Sequence, residues 1–329
     1  MKKLYFFILV ILTVALITGC GSGKSESDKN TAKDTTGEVV KAVTAGSKIK
    51  VVATFYPLYE FAVQTGGDRV DIYNLLPYGA EPHSWEPTPK DIARIEQADL
   101  FIYNGAGLEP WVEQRLLPIL AKSKVKVVNA SSGQNLITAT GGGHEHGEEH
   151  KHSEEAGYDP HFWLDPRMSK QTVEVIASAL SEIDPVGKQY YQDNAVSYGE
   201  KLLALDKEFS TAALEFKSKD LVTSHDAFAY LSRRYGLQQV SVLGLSPESQ
   251  PSPSQLKDVV EFVRNNHVRC IFFEPLVSSR LSETVASEAK VKTGVLNTVE
   301  GLTEEQKARG DNYISLMYSN LATLREALQ

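Results

Sequence analysis

Three histidines stand alone in segments that could present them to a ligand. His83 lies in LLPYGAEPHSWEPTPKD, His161 in YDPHFWLDP and His225 in LVTSHDAFAYLSRRYG. A single loop histidine is more often a surface group or a hydrogen-bonded partner than a ligand. Neutral imidazole is, however, the commonest ligand of zinc-like ions, so three such residues meeting in one place would form a metal site.

A fourth ligand would have to come from another segment. Asp311, in ARGDNYISLMYSNL, precedes an apolar stripe at helical spacing. It could therefore be either a metal ligand or the N-cap of a helix. Glu274, at the end of the strand predicted in VRCIFFEPL, is a weaker alternative. His267 lies at the opposite end of that strand, and we interpret it as structural.

Four more histidines, His144, His146, His150 and His152, lie with five glutamates in GGGHEHGEEHKHSEEAG, residues 141–157. Glycines at both ends and like charges inside predict a mobile loop that binds ions weakly and in several arrangements. We therefore expect this stretch to collect or sense ions beside a better-built site. An inert solvated run is the alternative.

The elements that must position these residues are strands and helices in alternation. Strand-like segments IKVVATFYPL, DRVDIYNLLP, DLFIYNG and KVKVVNAS are separated by stretches long enough for crossover helices. The pattern repeats after residue 219 with DLVTSHDAF, LQQVSVLGLS, VRCIFFEPL and KTGVLNTV. This alternation predicts an α/β fold of two halves, each with a mostly parallel sheet. Ligands of such sheets collect at the carboxyl ends of the strands, where the three histidines fall.

One long amphipathic helix is predicted between the two halves. Asp184 and Pro185 fit its N-cap and first residue, and apolar residues then recur at helical steps. About 30 residues would span roughly 45 Å, enough to run along both halves as a stiff connection. The predicted divisions are an N-terminal lobe at 48–183, a linker helix at 184–218 and a C-terminal lobe at 219–329.

The N-terminus carries an export pattern. Two lysines precede the 14-residue run LYFFILVILTVALI, which is shorter than the roughly 20 residues of a membrane span. We predict a signal peptide at 1–19, with an anchor helix as the alternative. ITGC, which ends at Cys20, resembles the lipobox of bacterial lipoproteins, and this implies lipid attachment to the cysteine. Residues 20–47 hold too few large apolar residues to fold and are expected to form a tether.

Composition narrows the function classes. A chain of 329 residues with 42% hydrophobic residues favours two domains. The 34 basic residues against 42 acidic ones, a net charge of -8, leave no broad basic surface for nucleic acid. The only cysteine besides Cys20 is Cys270, which we interpret as a small buried hydrophobic residue and not as half of a disulfide.

The motifs PHSWEPTPKD, DPHFWLDP, TSHDAF and GDNYISLM together resemble the metal-specific solute-binding lipoproteins of bacterial ABC importers, the cluster A-I family, and within it the high-affinity zinc-uptake type. The resemblance runs from about residue 48 to the end. It implies two (β/α) lobes joined by one long rigid helix, with one metal ion in the cleft between them. On this resemblance the ligands fall on His83, His161, His225 and Asp311.

The resemblance also implies a function. The protein would be an exported, lipid-anchored monomer at the outer face of the bacterial cytoplasmic membrane. It would capture Zn(II) and deliver it to an ABC transporter permease with its cytoplasmic ATPase, without catalysing a reaction. His225 stands where manganese-type members carry a carboxylate, and three imidazoles with one carboxylate favour zinc. The alternatives are a manganese or iron importer subunit, an adhesin on the same fold, and a zinc hydrolase, whose metal would need an open position for water.

Overall fold

The computed structural model describes residues 47–139 and 157–329. Two separate sheets of four parallel strands form the two halves, which confirms the predicted fold class. The predicted signal peptide, Cys20 and the four histidines of the 141–157 stretch lie outside the described residues. Within those two ranges, no helix combines the length and the apolar character that crossing a membrane requires.

The first sheet is covered on both faces. Its strands are β1 (Ile49–Ala53), β2 (Val70–Asn74), β3 (Leu100–Tyr103) and β4 (Lys126–Asn129), in the order β2-β1-β3-β4. Val51 and Val52 of β1 enter different hydrophobic clusters because alternate side chains point to opposite faces. The helices of this half are α1 (Tyr56–Gly66), α2 (Pro89–Glu96), α3 (Leu117–Leu120) and α4 (Pro166–Ile183).

The second sheet repeats this arrangement. Its strands are β5 (Asp220–Thr223), β6 (Gln238–Ser241), β7 (Cys270–Phe273) and β8 (Lys292–Val295), in the order β6-β5-β7-β8. Its helices are α6 (Ala229–Tyr235), α7 (Pro253–Asn265), α8 (Arg280–Ala289), α9 (Glu304–Arg309) and α10 (Tyr313–Leu328). In each sheet the first strand lies between the second and third, so the chain reverses its direction across the sheet there. Such a switch point opens a crevice at the strand ends where ligands bind.

The long helix, α5, begins later than predicted. It spans Lys188–Glu215, 28 residues or about 42 Å, after a 3-10 turn at Pro185–Gly187. Asp184 does not cap it, because the Asp184 carboxylate accepts hydrogen bonds from Arg69 Nε (3.0 Å) and Tyr191 OH (2.9 Å). The apolar stripe predicted for this helix is buried, from Tyr191 to Phe209.

The two halves are joined beside α5 by more than the helix itself. Asp206 of α5 accepts hydrogen bonds from Arg167 Nε of α4 (3.0 Å) and Arg234 Nη2 of α6 (2.9 Å). Although burial raises the pKa of Asp206, the hydrogen bonds from these two guanidinium groups lower it below its usual value. At the C-terminus, Tyr313 of α10 packs its ring 5.0 Å from that of Phe61 in α1. One hydrophobic cluster therefore runs through both halves.

Candidate metal centre

Four side chains from loops of both halves converge on one point. One nitrogen or oxygen of each of His83, His161, His225 and Glu300 lies within 4.8 Å of the others. His83 Nε2 is 3.1 Å from His161 Nε2, and both nitrogens are 3.4 Å from Glu300 Oε1. The side chain of His83 is 11% exposed, whereas those of His161 and Glu300 are fully buried. Three imidazoles and one carboxylate form a donor set typical of tetrahedral zinc.

His161 is held by its own segment. It follows Asp159 and Pro160 and precedes a short 3-10 turn, Phe162–Leu164. Asp159 Oδ1 accepts hydrogen bonds from the backbone N and from Nδ1 of His161, both at 2.8 Å. Burial lowers the pKa of His161, but Asp159 and Glu300 outweigh it and raise the pKa to about 10. With Nδ1 bound to the carboxylate, the ring presents Nε2 to the centre, a pairing that also makes a metal-binding imidazole more basic.

His83 lies in the loop between β2 and α2. A capping box opens α2, since Thr88 and Asp91 exchange hydrogen bonds. Glu81 Oε1 accepts a hydrogen bond from the His83 backbone N at 3.1 Å. Burial lowers the pKa of His83 more than the nearby Glu300 raises it. The imidazole is therefore held in the neutral form that binds metal ions.

His225 follows β5 at the switch point of the second sheet. Glu274 directly follows the neighbouring strand β7, and its Oε1 lies 3.3 Å from His225 Nδ1. The Glu274 carboxylate also accepts a hydrogen bond from Ser224 Oγ. Neither ring nitrogen of the buried His225 has a hydrogen-bond partner. A buried polar atom without a partner costs free energy, so this ring is suited to an added ligand.

Glu300 follows β8 in a loop with an unusual backbone. Val299 has a left-handed φ of 58°, and its N donates to Asn297 Oδ1 at 2.7 Å. Glu300 Oε2 accepts a hydrogen bond from Thr298 Oγ1 at 2.9 Å, whereas Oε1 has no hydrogen-bond partner. Burial raises the pKa of Glu300, but the imidazoles of His161 and His83 bring it well below its usual value. The group is therefore a carboxylate whose Oε1 lies at the centre, 3.4 Å from the nitrogens of His83 and His161.

The structure does not bring Asp311, the fourth ligand predicted from the sequence, into this group. The Asp311 carboxylate accepts hydrogen bonds from Arg309 Nε (3.1 Å) and Nη2 (2.7 Å), just after Gly310 ends α9. Asn312, and not Asp311, caps α10. Glu300 is the acidic residue that lies in the group with the three histidines. The sequence signal that could have found it is its position shortly after a predicted strand, the same signal that singled out His225.

The other candidates have different places. Glu274 stands behind His225 and is not one of the four converging residues. His267 is exposed with a left-handed φ of 53° in the turn between α7 and β7, away from the carboxyl end of that strand. Cys270 is half-buried, and burial raises its thiol pKa to about 11. Its surroundings suit a hydrophobic packing role better than a reactive one.

Comparison with known proteins identifies zinc-uptake relatives of this chain. The family model described as zinc-uptake complex component A, periplasmic, matches residues 51–327. The high-affinity zinc uptake system protein ZnuA of Bacillus subtilis is 37% identical over 327 residues, covering 99% of this chain and 98% of that protein. The zinc-binding lipoprotein AdcA of Streptococcus pneumoniae is 43% identical over 286 residues, covering 86% of this chain but only 56% of AdcA. This chain thus spans about half the length of AdcA.

A solved structure covers the same part of AdcA. The Zn(II)-bound ZnuA-like domain of Streptococcus pneumoniae AdcA matches with a TM-score of 0.72 and 40% identity, over 86% of this chain and 99% of that one. The likeness therefore extends across both sheets and the long helix. Given the family match over residues 51–327, the chain belongs to the family of the periplasmic component A of zinc-uptake complexes.

Proposed function

We propose that this protein binds one Zn(II) ion between His83, His161, His225 and Glu300 and delivers it to an ABC transporter permease. The observation that carries this proposal is the set of buried atoms without partners, both ring nitrogens of His225 and Oε1 of Glu300. They belong to a group whose donor atoms are close enough to share one ion. A bound cation would compensate the cost of burying them.

The donor set supports zinc over manganese. Manganese prefers carboxylate, carbonyl and water oxygens, whereas imidazole suits zinc. The proposed site has three imidazoles and a single carboxylate. Both relatives named above carry zinc in their names, which agrees with this preference.

Membership of a zinc-uptake family places the protein among solute-binding components and not among enzymes. The site agrees for a chemical reason. A catalytic zinc keeps one position open for water, whereas Glu300 would supply a fourth protein ligand.

The remaining parts of the proposal concern the cell. The signal peptide at 1–19 would direct export, lipid on Cys20 would anchor the protein to the outer face of the cytoplasmic membrane, and the histidines of 141–157 would collect zinc nearby. We also propose that the protein acts as a monomer and that its transporter carries a cytoplasmic ATPase. The lobe boundaries at 183/184 and 218/219 belong to the same proposal.

A metal-competition experiment tests this function. Purified metal-free protein is dialysed against equal free concentrations of Zn(II) and Mn(II), and the bound metal is measured by elemental analysis. We expect one tightly bound zinc ion per chain and no retained manganese. A preference for manganese, or metal-dependent hydrolysis of ester and peptide substrates, would contradict the proposal.

A further inference from the structure

Tyr230 links two of the proposed ligands through one hydroxyl group. It lies in the first turn of α6, on the segment that continues from His225, and its side chain is fully buried. Its OH donates to the carbonyl oxygen of Asp159 at 2.6 Å and accepts from the backbone N of Ile137 at 3.0 Å. A residue of the second half thus binds two backbone groups of the first half.

Asp159 carries this link to the metal centre. Its carboxylate accepts hydrogen bonds from the backbone N and from Nδ1 of His161, each at 2.8 Å. The chain of contacts therefore runs from the His225 segment, through the phenol of Tyr230 and the backbone of Asp159, to the ring of His161. It joins imidazoles that come from different halves of the molecule.

The link has a second point of attachment on α6. Arg233 Nη2 donates to the carbonyl oxygen of Asn135 at 3.0 Å, and its guanidinium lies 5.2 Å from the Tyr230 ring centre. Asn135 lies two residues before a short antiparallel stem, residues 137–139 and 157–159. In this stem Asp159 N donates to Ile137 O at 2.9 Å, and Ala139 N donates to Gly157 O at 2.8 Å.

We propose that Tyr230 is a positioning residue for zinc binding, an inference that rests on the proposed function. By fixing Asp159 against α6, the hydroxyl sets the distance and orientation between His161 and His225 before the ion arrives. Groups that orient metal ligands in this indirect way typically change metal affinity about 10- to 100-fold when they are removed. A tyrosine that only filled space would not have this effect.

The test compares Tyr230→Phe with Tyr191→Phe. Tyr191 is a matched control, because it is also fully buried and its OH also has two polar partners, Asp184 and Arg69. Neither partner is a proposed ligand. Zinc affinity is measured by competition with a chromophoric chelator, and the ligand geometry by the visible spectrum of the Co(II)-loaded full chain. We expect the zinc dissociation constant to rise at least about 10-fold in Tyr230→Phe, with an altered Co(II) spectrum. Tyr191→Phe should match the parent in both measurements.

The outcomes separate this inference from the proposed function. If the parent binds no zinc, the proposed function fails. If the parent binds zinc and Tyr230→Phe has the parent's affinity and Co(II) spectrum, Tyr230 has no positioning role. Should Tyr230→Phe not fold, hydrogen exchange at the Ile137 amide of the parent decides. Slower exchange with zinc bound supports the link, and equal exchange with and without zinc overturns it.

Discussion

The two halves of the molecule prepare their ligands differently. In the first half, His161 donates its Nδ1 hydrogen to Asp159 at 2.8 Å, so its ring is oriented without a metal ion. In the second half, both nitrogens of His225 and one oxygen of Glu300 have no hydrogen-bond partner. His161 of the first half is therefore preorganised, whereas His225 and Glu300 of the second half have donor atoms with only longer contacts, at 3.3 Å to Glu274 and 3.4 Å to the other two imidazoles. An ion entering the site would meet an already oriented ligand in the first half. In the second half it would compensate the free-energy cost of the buried donor atoms.

The largest expected effect comes from removing one imidazole from each half. His161→Ala and His225→Ala should each weaken zinc binding by more than the roughly 100-fold typical of an indirect partner, because each removes a direct donor. Their metal-free forms should differ. His161→Ala removes the Nδ1 hydrogen bond of 2.8 Å to the buried Asp159 carboxylate, leaves it only the backbone N of residue 161, and should lower the unfolding free energy by about 3 kcal/mol. His225→Ala removes only a longer contact of 3.3 Å with Glu274, whose carboxylate keeps the hydrogen bond from Ser224, and should cost clearly less.

Chelator competition measures the zinc affinity of these two variants, and urea unfolding without metal measures their stability. Equal losses of stability would contradict the contrast between the halves. Unchanged zinc affinity in either variant would show that the tight site lies elsewhere.

A second pair of substitutions compares the two acidic candidates of the second half. Glu300→Gln removes a buried carboxylate at the centre and should weaken zinc binding by about 100-fold. Asp311→Asn alters an ion pair with Arg309 outside the group and should leave the affinity unchanged within about twofold. Isothermal titration with a competing chelator distinguishes them. A larger loss for Asp311→Asn would restore the ligand predicted from the sequence.

The pH dependence of stability tests a buried carboxyl group at the switch point of the first sheet. Glu109 reaches the ends of β1 and β3, where it accepts hydrogen bonds from Thr54 Oγ1 (2.6 Å) and from the backbone N of Asn104 (2.9 Å). Burial raises its pKa from 4.5 to about 7, more than these hydrogen bonds lower it. The folded protein therefore binds this proton more tightly than the unfolded chain, and stability falls as the pH rises from about 4.5 to about 7.

Glu109→Gln removes the proton binding of Glu109 from the pH dependence of stability. Relative to the parent, the variant should gain unfolding free energy as the pH rises through this window, by an amount on the order of 3 kcal/mol. Denaturant unfolding of both metal-free proteins at several pH values gives the difference, in which titrations common to both cancel. A difference that does not change with pH would show that Glu109 is not buried in its neutral form.

The smallest effect on the tight site is expected from replacing residues 140–156 by a short glycine-serine linker. The stem positions Ala139 and Gly157 are hydrogen-bonded at 2.8 Å, so a short linker can close the gap. Tight zinc binding should be unchanged and weak additional binding should disappear. Titration to high zinc concentrations measures both, and loss of the tight site would show that the histidines of this stretch are ligands in it.

Much of this arrangement follows from the sequence because local patterns determine it. Strand and helix alternation predicts both sheets, and the position of His225 at a strand end predicts where its side chain lies. The position of Glu300 shortly after a predicted strand indicates the same edge of the sheet, but its exact place at the centre does not follow from that pattern. Its place depends on the left-handed backbone of Val299 and on a contact with a helix distant in the sequence. Asn320 Oδ1 of that helix accepts a hydrogen bond of 2.8 Å from the backbone N of Asn297. Contacts between segments far apart in the sequence leave no local pattern.

The start of α5 teaches the same lesson. Asp184 and Pro185 have the local signature of a helix start, yet the Asp184 carboxylate binds Arg69 from a loop 115 residues earlier. The tertiary ion pair outweighs the cap, and the α-helix begins at Lys188. Asp311 likewise has the local position of a helix N-cap, yet its carboxylate is bound by Arg309 and Asn312 caps the helix.

The antiparallel stem has a practical consequence for protein engineering. Ala139 and Gly157 are hydrogen-bonded neighbours, and the entropy of closing an insertion between them grows only with the logarithm of its length. A fluorescent domain whose own termini are adjacent can be spliced there without separating any strand from its sheet. Because the stem leads through Asp159 to the ring of His161, such a fusion would convert ion capture into an optical signal.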